Sequence, residues 1–226
     1  MTDQKKDYLG HRLRLKEKFY KFPASVEDYE ILEMILFLSI PRKDTKSIAK
    51  SLIKTFESLE NLIFADEDKI FTIPKITKNI HLSFLLIKEF IKRILQNKIL
   101  NKHVLSSWNE LIEYLKVTMG SIKKEQFRVI FLDKKNTIIA DELQASGTID
   151  ETPIYPREVV KRALFHESTA IILVHNHPSG NLKPSKADIE VTKEIIKVCS
   201  TFNILVHDHV IICKRKFFSF KSEYLL

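Results

Sequence analysis

Cysteine and glycine are scarce in this chain of 226 residues, and it has no long apolar segment. Two cysteines, Cys199 and Cys213, are too few for a disulfide framework, and we interpret them as buried thiols of a reducing compartment. No apolar run approaches the roughly 18 residues of a membrane span, and the first residues lack the apolar core of a secretory signal. Four glycines are too few for a glycine-rich, phosphate-cradling loop. We therefore expect a soluble, cytoplasmic protein without a membrane partner.

The composition is that of a folded protein, with 44% apolar and 29% charged residues. The length allows one large domain or two small ones. Lysine and arginine number 37 against 29 aspartate and glutamate, and residues 1–104 carry 20 of the basic and 14 of the acidic side chains. A basic front half is compatible with binding phosphates. The favoured interpretation is a lysine-rich solvated surface, because a charge excess alone is weak evidence for a partner.

The spacing of apolar residues predicts that residues 1–104 are helical. Ser25 begins a capping-box pattern before a helix that Pro41 ends, because proline lacks an amide hydrogen and its ring clashes with the preceding turn. A second amphipathic helix is predicted at 47–56, and a longer one after Pro74. These residues are predicted to form an all-helical domain.

The periodicity changes after about residue 104, and strands then alternate with helices. We predict helices at 108–119, 156–165 and 185–202, and strands at 126–132, 137–139, 170–174 and 204–212. Gly120 is expected to end the first of these helices in a left-handed C-cap. The sequence therefore predicts an α+β protein of two domains, 1–104 and 105–226.

Segment 175–188 contains the residues that most strongly indicate a catalytic or metal-binding site. His175 and His177 follow a buried strand, and the alternation of strand side chains places both on one face. After a proline–glycine turn, Asp188 falls in the first turn of the next helix. Two imidazoles and one carboxylate leave a fourth coordination position open, which is typical of a catalytic zinc site.

The same residues also have an ordinary structural interpretation. A histidine at a strand end is most often a hydrogen-bonded polar residue. Ser185 and Asp188 have the spacing of a capping box, in which Asp188 would serve the helix N-terminus and bind no metal. The combination of paired histidines, a turn, and a carboxylate at the helix start favours the metal site.

A second cluster, His207-Asp208-His209, lies on the last long predicted strand. Alternation would place its histidines on one face and Asp208 on the other. A second metal ion is one interpretation. The favoured one is that one of these side chains is a hydrogen-bonded partner behind the first site.

The pattern H-x-H-P-x6-S-x-x-D at 175–188 resembles the signature of JAB/MPN-type (JAMM) metalloproteases, and its longer form H-N-H-P-S-G-x3-P-S-x-x-D resembles that of the bacterial RadC family. Further similarity lies at Gly147-Thr148, at 156–159 with Ala163-Leu164, and at 208–212. The resemblance therefore covers residues 105–226. It implies an MPN/JAB-like domain with a mixed sheet flanked by helices.

The resemblance implies one Zn²⁺ ion held by His175, His177 and Asp188. The reaction that follows is cleavage of a peptide or isopeptide bond by a metal-activated water, with a peptide or protein as substrate. The chain contains neither the G-x-S-x-G motif of serine hydrolases nor the H-E-x-x-H motif of zincins.

The remaining catalytic roles are also implied by the family pattern. Spacing alone leaves four candidates for the general base, which are Glu125, Glu142, Glu158 and Glu167. The family pattern selects Glu125. In that pattern Ser185 would help to hold the oxyanion, and Gly147 would sit where the chain turns toward the helix at Pro156.

RadC-like proteins carry a helical N-terminal domain resembling helix–hairpin–helix modules, which hold DNA phosphates on the amides of a glycine-containing hairpin. The corresponding stretches here, 39–44 and 73–78, lack the hairpin glycines, and Pro74 lacks an amide donor. Lys75 and Lys78 can still meet phosphate as point charges. The alternative function is therefore a DNA-associated, repair-related or protein-interaction module whose metal site is structural or vestigial.

Overall fold

The computed structural model describes residues 3–41, 43–147 and 154–226, which divide into the units Met1–Phe90 and Ile91–Leu226. The division falls inside helix α6 (Lys78–Ile99), earlier than the join predicted after residue 104. It does so because Ile99 belongs to the core of the second unit, with Leu95 packed against that core.

The described part of the first unit is helical, as predicted. Its elements are α1 (Asp3–Lys21), a 3-10 helix (Pro23–Ser25), α2 (Asp28–Ser39), α3 (Lys46–Phe56), α4 (Leu59–Ile63), α5 (Glu67–Phe71) and the start of α6. The apolar stripes of α2 and α3 meet in one core that includes Leu36 and Leu52. Within the described residues, no helix is both long enough and apolar enough to span a membrane.

The capping box of α2 lies two residues later than predicted. Pro23–Ser25 forms a separate 3-10 turn, so Ser25 does not cap α2. Glu27 is the cap residue, and the side chain of Glu30 accepts a hydrogen bond from the Glu27 amide at 3.0 Å. Helix α2 ends at Ser39, just ahead of Pro41, as predicted.

The second unit contains α7 (Trp108–Met119), β1 (Glu125–Leu132), β2 (Ile138–Gly147), α8 (Pro156–Phe165), β3 (Ala170–Asn176), α9 (Lys186–Ser200), β4 (Leu205–Cys213) and β5 (Lys216–Ser219). Within the described residues its strands form one sheet in the order β2-β1-β3-β4-β5. Only the β3–β4 pair is parallel among these neighbours, so the sheet is mixed. The predicted α+β class with a mixed sheet flanked by helices is confirmed.

Helices cover both faces of this sheet. Alternate strand residues such as Ile130 and Ile172 face α7 and pack with its buried side chains. The intervening residues, such as Phe131 and Leu173, pack with α8 and α9. His175 continues the second series at the end of β3, so it emerges on the α8–α9 side of the sheet.

Gly120 does not form the left-handed C-cap predicted for α7. Its φ is −63°, an ordinary helical value. The glycine is needed for space, because a Cβ atom at this position would lie 2.1 Å from the backbone oxygen of Lys214, in the turn between β4 and β5. The missing side chain therefore lets the end of α7 touch that turn.

Candidate metal centre

The three predicted ligands meet where β3 ends and α9 begins. The apolar run of β3 is fully buried and carries His175 and, just past the strand, His177 to one end of the sheet. Ser185 then starts α9, and Asp188 lies in its first turn. The local sequence thus brings a strand end and a helix start to the same place.

The ligand atoms of these residues lie close together and out of solvent. Nε2 of His175 is 3.2 Å from Oδ1 of Asp188, and Nε2 of His177 is 3.4 Å from Oδ2. The two Nε2 atoms are 2.8 Å apart. One ligand atom from each residue can be chosen so that all lie within 4.8 Å of one another. The residues are only 4%, 7% and 3% exposed, so any ion held there is shielded from bulk water.

Asp188 serves the helix and the site at once. The Ser185 amide donates to Oδ2 of Asp188 at 2.7 Å, and the Asp188 amide donates to Oγ of Ser185 at 3.1 Å, which forms the capping box. The capping box that the sequence indicated is confirmed, and it is compatible with a metal site, because the capped carboxylate also faces both histidines.

The ring of His177 is oriented by a bond on its far side. Its Nδ1 lies 2.6 Å from the carbonyl oxygen of Asn181. Because a carbonyl oxygen only accepts, Nδ1 carries the hydrogen, and a neutral ring then turns an unprotonated Nε2 toward His175 and Asp188.

The electrostatics of the group favour a bound cation. Burial acts to raise the pKa of Asp188, but its contacts with His175 and His177, whose rings are protonated when no metal is bound, outweigh burial and hold that pKa well below its ordinary range. Burial acts to lower the pKa of His177, but the hydrogen bond and charge of Asp188, the Asn181 carbonyl and the charge of Glu125 together raise it. A buried carboxylate is thus kept ionised beside two rings that can meet it as ligands.

The donor set fits zinc. Among the described residues, the ion-pair partners of Asp188 are His175 and His177, which carry compensating charge only when they are protonated. Imidazole nitrogen and carboxylate oxygen are both common zinc ligands. A divalent cation among these atoms would satisfy the carboxylate and leave both rings neutral.

Glu125 shares a small cavity with two of the ligands. The cavity has a volume of about 30 Å³ and is lined by His175, Asp188 and Glu125, together with Gly147 at the end of β2. This is enough space for a water molecule, which needs roughly 10–15 Å³ measured in this way. Phe127 pairs with His175, so Glu125, two residues earlier on the same face of β1, extends toward His177.

The other candidate bases lie elsewhere. Glu142 accepts hydrogen bonds from Arg162 of α8 and from His166, the residue that follows this helix. The bonds from Arg162, followed by that from His166, lower the pKa of Glu142 to about 2. Glu158 forms ion pairs on the outer side of α8 with Arg157 and Lys161, and Glu167 is exposed just after that helix.

Ser185 stands at the exposed start of α9, three residues before Asp188. Its oxygen accepts the Asp188 amide, and that bond does not use the hydroxyl hydrogen. The oxyanion role of Ser185 stays a prediction. Gly147 ends β2 beside the cavity, and Thr148 lies outside the described residues.

The second histidine cluster divides between the two faces of the sheet. Residue pairing passes from Ile171–Val206 to Ile172–Asp208, so His207 is an extra residue in a β-bulge. His207 donates to Oδ1 of Asn136 at 2.6 Å and lines a cavity together with Asp208. The prediction that His207 and His209 share a face is therefore wrong.

His209 is the expected hydrogen-bonded partner behind the site. Its Nε2 lies 2.8 Å from Nδ1 of His175. Its Nδ1 lies 2.6 Å from Oγ1 of Thr192, a residue that sequence analysis missed. The available signal for Thr192 was its position one helical turn after Asp188, on the same face of α9.

A comparison with known families identifies the part of the chain that carries this site. The family model described as "RadC-like JAB domain" matches residues 105–225, which is more than half of the chain. The matched range spans both histidines, Asp188 and Glu125.

Proposed function

Because the chain belongs to the RadC-like JAB family, we propose that residues 105–226 form a zinc-dependent hydrolase that cleaves a peptide or isopeptide bond. The observation that carries this proposal is the cavity that Glu125 shares with His175 and Asp188. A purely structural metal site has no need of a carboxylate placed beside its ligands.

His175, His177 and Asp188 would hold the metal through Nε2, Nε2 and a carboxylate oxygen. When bound, zinc would supply a Lewis acid that lowers the pKa of water to about 7. The capping box fixes the Asp188 carboxylate, and the Asn181 carbonyl fixes the His177 ring. The ligands are therefore preorganised by bonds that do not involve the metal.

Glu125 is the proposed general base. Its carboxylate would take a proton from water in the cavity and return it to the leaving amine. The hydroxyl of Ser185 would donate its hydrogen to the developing oxyanion. Both roles need groups at the rim of a buried site, and both residues are less buried than the ligands.

The sheet supports a peptide as substrate. Strand β2 is at the edge of the sheet, and Ala145, Ser146 and Gly147 of this strand line the cavity. Edge strands can bind an extended peptide through backbone hydrogen bonds. The free, buried cysteines Cys199 and Cys213 support a reducing, cytoplasmic setting.

A fluorogenic peptide library with both α-peptide and lysine isopeptide linkages tests this proposal. The full chain should bind one zinc ion and cleave at least one linkage, and a chelator or His177→Ala should abolish cleavage. Restoring zinc should recover activity in the chelated protein and not in the variant. Cleavage that persists in chelated protein, or a zinc-loaded chain that cleaves no linkage, would overturn it.

One observation favours the DNA-associated alternative as a second candidate. The stretches 39–44 and 73–78, apart from Arg42, which lies outside the described residues, both contribute to a cleft of about 880 Å³ in the first unit. Lys43 and Lys75 line this cleft. Lys75 has a φ of 69°, so the turn keeps a left-handed residue without a glycine.

A further inference from the structure

Behind the ligands, a chain of hydrogen bonds joins β3, β4 and α9. It runs from Nδ1 of His175 to Nε2 of His209 at 2.8 Å, and from Nδ1 of His209 to Oγ1 of Thr192 at 2.6 Å. Oγ1 of Thr192 lies 2.5 Å from the backbone oxygen of Asp188. His209 and Thr192 are both buried.

The chemistry of the last acceptor sets the direction of every bond in this chain. The backbone oxygen of Asp188 can only accept, so the Thr192 hydroxyl donates its one hydrogen there. Oγ1 of Thr192 must then accept from His209, which places a hydrogen on Nδ1 of His209. If His209 is neutral, its Nε2 is an acceptor, and Nδ1 of His175 must be the donor.

The surroundings of His209 favour the neutral ring. The ring is fully buried, stacks on Phe220 at a centroid distance of 4.6 Å, and meets the edge of Phe127 at 5.9 Å. A charged ring there would lose its hydration, since its hydrogen-bond partners are a hydroxyl and another imidazole.

We propose that Thr192 and His209 are positioning residues that hold His175 in its Nδ1–H tautomer, with the Nε2 lone pair directed at the metal position. The proposal rests on the metal site of the proposed function and adds residues that do not touch the metal. It also links two ligands from different elements, because the chain that begins at His175 ends on the backbone of Asp188. Rotation of the His175 ring would break its bond to His209.

The first test uses metal-free protein, so it does not depend on zinc or on catalysis. Long-range proton–nitrogen NMR of the full chain labelled in histidine reports which ring nitrogen carries the hydrogen. At alkaline pH, where the rings are neutral, His175 should be in the Nδ1–H form, with its signals assigned from their loss in His175→Gln. An Nε2–H form in the metal-free wild type would overturn the proposal.

The second test compares zinc affinities by chelator competition. Thr192→Val keeps the shape of the side chain and removes the hydroxyl, and His209→Phe keeps a ring between Phe127 and Phe220. Each should weaken zinc binding by about 10–100-fold, as is typical when an outer hydrogen-bond partner is lost. Thr192→Ser should restore wild-type affinity, and His207→Ala, on the same strand but bonded to Asn136, should leave it unchanged.

Because two variants are compared, the proposal stays testable even if one of them does not fold. If His209→Phe fails to fold, Thr192→Val, which is nearly isosteric, carries the comparison. Zinc affinity equal to wild type in Thr192→Val would overturn the proposal. A chain that shows the expected tautomer and affinities and yet cleaves no peptide would overturn only the proposed hydrolase.

Discussion

Nε2 of His175 lies 3.2 Å from Oδ1 of Asp188, which joins the end of β3 to the first turn of α9. Both residues are buried, and each is held from behind by bonds that do not involve the other. We therefore expect a change at either residue, or at the groups that hold it, to act on the metal position.

Asp188→Asn removes the only carboxylate of the ligand group and keeps an oxygen that can still cap α9. Zinc affinity should fall by more than the roughly 10–100-fold expected for an outer partner, as measured by chelator competition. The matched change Ser185→Ala should keep zinc and cost about 1 kcal/mol of unfolding free energy, because only the cap is lost. Equal zinc affinities in Asp188→Asn and the wild type would remove Asp188 from the ligand set.

Glu125→Gln should keep zinc and lose hydrolysis by about 10²–10⁴-fold, the usual contribution of a general base. Metal analysis and initial rates on the substrate identified with the wild type provide the measurement. Glu158→Gln, at an exposed position on α8, is the control and should retain activity. Full activity of Glu125→Gln would show that another group takes the proton.

Gly120→Ala should destabilise the protein by about 1–3 kcal/mol, because the new methyl group meets the backbone oxygen of Lys214. Gly10→Ala is a control of opposite sign. A Cβ at position 10 meets only the end of the Arg14 side chain at 3.5 Å, and alanine favours the helix interior by about 0.5–1 kcal/mol. The free energy of unfolding of both variants can be measured by chemical denaturation. Destabilisation by Gly120→Ala alone would indicate a steric clash at that position, and destabilisation by both would contradict this explanation.

The Glu142–Arg162 pair predicts a loss of stability in acid. Hydrogen bonds from Arg162 lower the pKa of Glu142 from its ordinary 4.5 to about 2. The folded state therefore gains stability that is fully present above pH 4.5 and is lost as the pH falls toward 2. Urea unfolding across this range should show a smaller fall in the free energy of unfolding in Glu142→Gln than in the wild type. Equal falls in the two proteins would show that the Glu142–Arg162 pair is not the source of the acid sensitivity.

If the cleft lined by Lys43 and Lys75 binds DNA, reversing the charge of these two lysines should weaken binding. In the double variant Lys43→Glu with Lys75→Glu, duplex affinity should fall and its salt dependence should become shallower. The log–log slope should decrease by about 0.9 for each phosphate that the variant no longer neutralises. Lys54→Glu, an exposed change on α3 away from the cleft, is the control. The same loss in the control would indicate a diffuse charge effect rather than a site.

Local signals in the sequence identified most elements of the second unit. Helix α8 begins at Pro156 and ends at Phe165 as predicted, because proline at a first-turn position and the apolar spacing agree. Strand β5 was missed, since four residues are too few to show a periodicity. The three candidate ligands could be grouped from the sequence because strand alternation and a helix start are both local features.

The second layer of the site could be anticipated only in part. The bonding of His209 to His175 depends on which strands are neighbours, and the β3–β4 pairing is not encoded in either strand alone. The bulge that separates His207 from His209 shifts the register by one residue, which no alternation rule anticipates. Gly120 was correctly predicted to follow the last residue of α7, but the predicted reason, a left-handed C-cap, was wrong. The glycine is needed because of its contact with Lys214, a residue far away in the sequence.

The place of β4 between β3 and β5 has a consequence for assembly of the site. All three candidate ligands precede β4 in the chain, so a partly folded chain in which β4 has not yet paired with β3 contains the whole coordinating set without its support from His209. The His175 ring acquires its support only when β4 inserts. Tight binding of metal would then require the finished sheet, and a chain with β4 unpaired would bind the ion more weakly.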